Sequence, residues 1–457
     1  MSDVAITASG SKKRHAEWSL LIGAWLIGAM SWFLVNYATG VAMTNGWLAL
    51  LATSALFLIA YAVVRMQVPH ADPVLLPCVT ALNMLGIAMI HRLDIANELH
   101  AAGQNAQAPT PDVYLQITWL AIALILFCLV LISVKDHRKL QRFTYTSGIA
   151  GVFLLFLPLL PGIGTSINGA RLWVEFAGLS FQPGEIAKIL LTIFFAGFLV
   201  VRRHSLALVN QKIFGIGVPR IKDIGPLVVV WMSAVLVLIV ERDLGTSLLL
   251  FGVFIVMLYV ATGRRGWVII GALMLLMSGT LAYFAFSHVR VRFSVWLDPF
   301  SQATDNGYQI VQSLYGLANG GIFGTGWGRG YPQLVPFAKT DFITSALGEE
   351  LGLAGMIALL AFYIIAVERG ARAAIGTRDP FGNLLAIGLT TVLGLQTFIV
   401  MGGVTRLIPL TGLTTPFLSY GGSSLVANYI IVALILRISN AARKIDDKGA
   451  TQVLVNT

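Results

Sequence analysis

Charged residues are scarce in this 457-residue chain, at 11% of the total, while hydrophobic residues make up 57%. A soluble domain carries about 25% charged residues. The composition, with a mean hydropathy of +0.80, therefore excludes an ordinary soluble protein and reads as an all-α polytopic membrane protein. Cysteine is nearly absent. Cys78 and Cys128 both lie inside apolar runs, which excludes a disulfide scaffold and reads them as small buried hydrophobes. Seven histidines are scattered without an HExxH or a Cys/His cluster, so no zinc site is legible. Ser423 and Ser424 follow two glycines but have no nearby outer histidine to act as base, so a serine hydrolase is unsupported. A cleavage signal is missing too. The run after Lys12, Lys13 and Arg14 lacks the small-residue pattern of a removed signal peptide and reads as a retained first span.

Apolar runs are what the chain has in quantity. Runs of the roughly 20 residues that a spanning helix needs begin near residues 19, 46, 74, 115, 145, 185, 224, 244, 266, 346, 383 and 421. They predict about twelve transmembrane helices, the fifth and sixth separated by Pro158, Pro161 and the polar stretch PGIGTSINGARLWVEFAGLSFQPGE. With the N-terminus inside, the cytoplasmic segments hold 22 of the 31 basic residues, as the retention of positive loops requires. Both termini are thus expected in the cytoplasm of a multi-pass cell-membrane protein. The net charge of +10 then reflects topology and contact with membrane lipids, not nucleic acid. The expected order is a cytoplasmic N-terminus (1–18), N-terminal helices (19–143), further helices (144–287), one large outer loop (288–345), C-terminal helices with an outer re-entrant segment (346–438) and a cytoplasmic tail (439–457).

The outer loop, between the ninth and tenth helices, is too long to be structureless without a function. It carries Trp296, Tyr308, Tyr315, Phe323, Trp327 and Tyr331, so it should pack on the outer face. Within it, Ile310, Val311, Leu314 and Leu317 have helical spacing and end at Asn319-Gly320-Gly321, a stop. GGIFGTGWGRG follows. No strand precedes it and no Lys-Ser/Thr follows, so it reads as tight turns and close backbone approach, not a phosphate cradle. VTRLIPLTGLTTPFLSYGGSS, residues 404–424, reads as a broken segment, tolerated at membrane depth only where protein or a wet cavity covers it.

Against this background, carboxylates in TDFITSALGEELG demand a reason. If that stretch opens a helix, Asp341, Ser345 and Glu349 form a polar line down one face. Asp341 either caps the helix or performs chemistry, while Glu349 and Glu350 either support broken backbone nearby or join it; ionisable groups in a span are functional by default. Glu185 and Lys188 in QPGEIAK can pair at i, i+3, or Lys188 meets an anion in a wet cavity. Asp243 in ERDLGTS caps the next helix, leaving Arg242 for a headgroup or phosphate. In VRVRFSVWLDPF, Asp298-Pro299 forms a turn and Arg292 faces lipid phosphates. An outward set of carboxylates with Lys and Arg nearby suits base-assisted chemistry on a polyanionic lipid-linked substrate, or its transport.

The segments NGARLWVEFAGLSFQPGEIAKI, ERDLGTSLL, VRFSVWLDPF, GYQIVQSLYGLANGGIFGTGWGRG, TDFITSALGEELGL and LIPLTGLTTPFLSYGGSSL occur in the order found in the SEDS family (shape, elongation, division, sporulation). The chain resembles that family over about residues 145–440, nearer its RodA branch than its FtsW branch. The resemblance implies a peptidoglycan glycosyltransferase that polymerises lipid II into lipid-linked glycan on the outer face of the cytoplasmic membrane, beside a class B penicillin-binding protein. It implies a ten-helix core, so two N-terminal helices are extra. It places the family's essential aspartate on Asp341, its Glu and Lys on Glu185 and Lys188, its DLGTS aspartate on Asp243 and its Arg on Arg292. Lys339 stands where His is common, PGE replaces PSE, and the second Asp-Pro is missing.

On that resemblance, Asp341 is expected to be the catalytic base, with an inverting attack that releases undecaprenyl pyrophosphate. Lys188, Arg242, Arg292 and Lys339 are candidate pyrophosphate contacts, and Ser345 and Ser423 further substrate contacts. A divalent ion, Mg or Mn, could share the charge, although the sequence shows no site for it. The rivals are a lipid II flippase and a non-catalytic scaffold for the crosslinking enzyme. The outward clustering of acidic residues weighs against transport, and a scaffold has no use for interior carboxylates.

Overall fold

The computed structural model describes residues 2–455 except 42–45, 106, 108, 168–169, 177–178, 208–210, 214–215, 219–224, 226–227, 230–231, 234–235, 237–240 and 242. Backbone in a hydrocarbon layer must satisfy its own hydrogen bonds, and the described chain is accordingly mostly helix. The helices are α1 (Ser2–Thr39), α2 (Gly46–Gln67), α3 (Leu75–Gly103), α4 (Asp112–Ser133), α5 (Thr144–Phe156), α6 (Pro183–Ala207) and α7 (Leu244–Thr262). They continue as α8 (Arg265–Ala285), α9 (Ser287–Leu297), α10 (Tyr308–Gly320), α11 (Ile343–Ile375), α12 (Pro380–Val404) and α13 (Gly422–Val455).

Eleven stretches among the described residues are long and apolar enough to cross a membrane, so the chain is a multi-pass membrane protein. They coincide with eleven of the expected spans. The remaining candidate, beginning near residue 224, falls on a region that largely lies outside the described residues. Two short antiparallel sheets add to the expected all-helical fold. Where Pro158 and Pro161 follow α5, β1 (Gly164–Ile167), β2 (Ala170–Phe176) and β3 (Leu179–Phe181) form a meander, with Thr165 opposite Trp173 and Glu175 opposite Ser180. Leu172, Trp173, Val174 and Phe176 supply the aromatic and branched residues that a pleated surface favours. A second hairpin pairs Gln211–Ile213 with Ile216–Val218.

The chain divides into two compact units. The first comprises Met1–Ser133, Gly307–Arg372 and Thr414–Thr457. Its centre is α3, largely apolar and buried on all sides over most of Leu75–Ala96, as a helix without a polar face must be. The extra helix α1 packs along α3, and α4 packs against α2 and α13. Arg437 of α13 donates to the carbonyls of Gln67 (3.0 Å) and Leu131, giving partners to acceptors at the C-terminal ends of α2 and α4.

The second unit comprises Val134–Asn306 and Ala373–Leu413. There α6 packs against α5, α7 and α12. No helix forms between Val404 and Gly422, so the stretch is broken backbone. Within the second unit, Arg406 donates to Trp296 O at 2.7 Å and the Trp296 indole donates back to Arg406 O at 3.1 Å.

Candidate functional site

Asp341 does not stand on a helix. α11 starts at Ile343, and residues 337–342 form a turn, so the expected polar line Asp341–Ser345–Glu349 is corrected at its first member. The turn is set by Phe337, whose φ of +56° is rare for a residue with a Cβ. Its carbonyl accepts from Thr340 N at 3.0 Å and Phe342 N at 3.2 Å. From outside, Tyr420 N donates to Lys339 O at 2.8 Å and Ser419 Oγ to Thr340 O at 2.6 Å. Asp341 is half-buried on backbone held at both flanks. Ser345 is buried and donates to Ser313 O at 2.9 Å, which fastens α11 to α10.

Two turns further, α11 breaks. Gly352 has φ +67° and ψ −171°, a conformation essentially confined to glycine. The glycine-rich loop repairs the break. Leu353 N and Ala354 N donate to Gly321 O (2.9 Å) and Ile322 O (3.0 Å), while Thr325 N and Gly326 N donate to Glu349 O and Glu350 O at 3.0 Å each. Glu349 Oε1 accepts from Asn319 (2.9 Å) and Tyr331 N (2.8 Å). Glu350 accepts from Arg92 Nε at 2.9 Å and Gly328 N at 3.0 Å. Two of the three carboxylates in the motif are thus structural, and the glycines serve close approach as expected.

Lys339 makes contacts that sequence reading missed. Its ammonium lies 2.5 Å from Asp94 Oδ1 on α3 and 2.6 Å from Asp112 Oδ2 at the start of α4. Burial alone would pull the ammonium pKa down, but the hydrogen bonds and charges of Asp112 and Asp94 outweigh it and hold it above the ordinary lysine range. A cation matched by two carboxylates has no net positive charge to offer a phosphate, which weighs against a pyrophosphate contact at Lys339. One signal was available: Asp94 and Arg92 interrupt an otherwise apolar span, and such residues mark a site by default.

The second unit holds its own buried polar groups. Glu185 and Lys188 pair at 2.5 Å, and Lys188 also donates to Gln396 Oε1 at 2.8 Å. Asp243 caps α7, accepting from Thr246 N (2.9 Å) and Thr246 Oγ1 (2.6 Å). Burial pushes its carboxyl up against those bonds, and Glu241 is pushed up to about 8 by burial and by the charge of Asp243. Arg292 donates to Leu410 O (3.2 Å) and Thr411 O (2.9 Å), fixing the irregular segment. Ser423 is buried in the first turn of α13, in the first unit. Arg242 lies outside the described residues.

The family profile described as "Cell cycle protein", FtsW/RodA/SpoVE, matches residues 73–444, leaving α1 and α2 ahead of it. The chain is 48% identical to "Peptidoglycan glycosyltransferase RodA" of Mycobacterium tuberculosis over 448 residues, covering 96% of this chain and 93% of that one. It is 35% identical to "Probable peptidoglycan glycosyltransferase FtsW" of Geobacter metallireducens, covering 82% of this chain and 96% of that one. Among solved structures, a chain of a peptidoglycan synthase complex that coordinates polymerization and crosslinking matches with a TM-score of 0.61 at 26% identity, covering 79% of this chain and 97% of that one. A mutant of the rod shape determining protein RodA of Thermus thermophilus matches with a TM-score of 0.57 at 25% identity, covering 81% of this chain and 97% of that one.

Proposed function

We propose that this chain, which belongs to the FtsW, RodA and SpoVE family of cell cycle proteins, is a peptidoglycan glycosyltransferase that polymerises lipid II at the outer face of the cytoplasmic membrane, with both termini in the cytoplasm. Asp341 is its general base. It takes the proton of the acceptor's N-acetylglucosamine 4-hydroxyl, whose oxygen attacks the anomeric carbon of the lipid-linked donor. The bond from that carbon to the pyrophosphate oxygen breaks with inversion, and undecaprenyl pyrophosphate leaves. A base within hydrogen-bond reach contributes about 10²–10⁴ in rate.

One observation carries this assignment. Asp341 sits half-buried, just ahead of α11, on a turn whose backbone is held at Lys339 and Thr340. The departing pyrophosphate needs positive charge, and Lys188, Arg242 and Arg292 are the proposed suppliers. Among the described residues no group of three or more His, Cys, Asp or Glu could hold a metal ion, and the Asp94–Asp112 pair is filled by Lys339. The described residues thus offer no all-protein cage for a divalent ion. The similarity to a chain of a synthase complex supports a crosslinking partner, a class B penicillin-binding protein.

The test is polymerisation of lipid II by the purified chain in detergent, with and without that partner, comparing wild type and Asp341→Ala. Robust polymer from the alanine variant would remove Asp341 as base. No polymer from the wild type with its partner would favour lipid II transport instead.

A further inference from the structure

Three cavities lined by described residues stand out. Two in the second unit are apolar, one walled by Tyr145, Phe194 and Leu250, the other by Leu244, Phe251 and Phe293. The third differs. It encloses about 430 Å³ in the first unit and is lined by Asn97, Asp112, Gln333, Lys339, Thr340 and Tyr420. That volume falls in the range of small-ligand sites, and Thr340 is the neighbour of Asp341.

We propose that this cavity is the subsite for the uncharged sugar end of the acceptor, a ring bearing hydroxyl and acetamido groups, and that it excludes pyrophosphate. The inference rests on the glycosyltransferase reading and adds the substrate part that the cavity holds. Charge decides between the two ends of the substrate. Asp94 and Asp112 contribute two negative charges and Lys339 one positive, so the cluster carries a net charge of −1. Tyr420 adds none: burial, then the Asp112 carboxylate, push its hydroxyl up to about 12. A pyrophosphate brought here meets like charge.

A sugar ring meets the opposite situation. The amides of Asn97 and Gln333 each donate and accept, which suits hydroxyl and acetamido groups. The Asp112 carboxylate accepts a hydroxyl proton in a charge-assisted bond. Phe337 adds an apolar wall to the cavity, its ring 49% exposed and its backbone at φ +56°. Backbone strain of this kind clusters at ligand clamps. Adjacent Cα atoms lie about 3.8 Å apart, so a ring beside Thr340 is within a residue's reach of the proposed base.

Two measurements on the full chain test this. In lipid II polymerisation, Asn97→Leu and Gln333→Leu should each raise KM about tenfold, the worth of a good hydrogen bond, with kcat changed by less than about threefold. Gln333 is exposed, so its substitution leaves the fold intact even if Asn97→Leu does not. In the second measurement, an N-acetylglucosamine oligosaccharide should give saturation-transfer signals with wild type that both variants weaken, while inhibition by inorganic pyrophosphate stays at its wild-type concentration. Unmoved KM and undiminished oligosaccharide signals in both variants would overturn the subsite, as would loss of pyrophosphate inhibition alongside the sugar. A wild type that binds the oligosaccharide through these residues yet makes no polymer would overturn only the glycosyltransferase reading.

Discussion

Arg92 donates from Nε to Glu350 Oε1 at 2.9 Å across 258 residues of sequence, with 5% and 0% of the two side chains exposed. The guanidinium also reaches Gly330 O at 2.8 Å, and the other carboxylate oxygen takes Gly328 N at 3.0 Å. One pair thereby ties α3 to both the broken helix and the loop that repairs it. Removing one member strands a buried charge, which costs about 3–5 kcal/mol, whereas replacing both with apolar groups can be neutral. Arg92→Met should therefore lower thermal stability in detergent sharply, and Arg92→Met combined with Glu350→Met should recover most of the loss. Equal damage from single and double variants would show that the pair is not coupled.

Gly352→Ala should disable the chain without touching any side-chain contact. A Cβ at this position would stand 2.2 Å from Gly324 N and 2.6 Å from Ile322 O, and φ +67° with ψ −171° costs a substituted residue roughly 1–3 kcal/mol before any clash. Gly324, at φ +79° and facing Glu350 O at 2.2 Å, is the matching position. Both alanine variants should unfold at lower temperature and expose the 320–330 amides to hydrogen exchange. Gly225→Ala, with open space around it, is the control and should change nothing.

How much of this was legible depended on sequence distance. The helix over Tyr308–Gly320 followed from the spacing of Ile310, Val311, Leu314 and Leu317 and from the glycine stop, because periodicity is a local signal. The Asp243 cap and the Glu185–Lys188 pair were legible for the same reason, each lying within three residues. The partners of Lys339 lie 245 and 227 residues away, and no local pattern encodes them. The turn at Asp341 is not legible because nothing in PFAKTDF announces a left-handed Phe337. Arg92 and Asp94 were visible as charges in an apolar run, but their partners were not.

Lys188 should separate structural from functional charge. Lys188→Met leaves Glu185 buried without its cation, so stability should fall as for any one-sided break of a buried pair. Adding Glu185→Gln removes the stranded charge and should restore the unfolding temperature. If Lys188 also meets pyrophosphate, polymerisation by this double variant should stay down about 10²-fold, the usual cost of one lost electrostatic stabiliser. Lys188→Arg should not rescue it, because a planar fork does not replace a compact ammonium. Full activity in the stable double variant would reduce Lys188 to a structural role.

Stability at alkaline pH should report the Lys339 cluster. Asp112 and Asp94 hold the folded-state pKa of Lys339 above its ordinary value, and burial together with Asp112 pushes Tyr420 from 10 up to about 12. For both groups the folded chain keeps its proton longer than the unfolded chain does, so stability falls wherever the unfolded chain has already released it. For Lys339 the contribution is complete below its unfolded value of about 10.4 and is lost as pH rises through the higher folded value. Tyr420 adds to the fall between 10 and about 12. These two titrations therefore add no slope below about pH 9, and a decline should set in above about pH 10. Lys339→Met removes one of the two titrations, leaves Asp94 and Asp112 facing each other, and should lower stability at neutral pH while flattening the alkaline limb. Unfolding temperatures of both proteins across that range decide the matter: an alkaline limb equally steep in the variant would mean that the ammonium is not held by the two carboxylates.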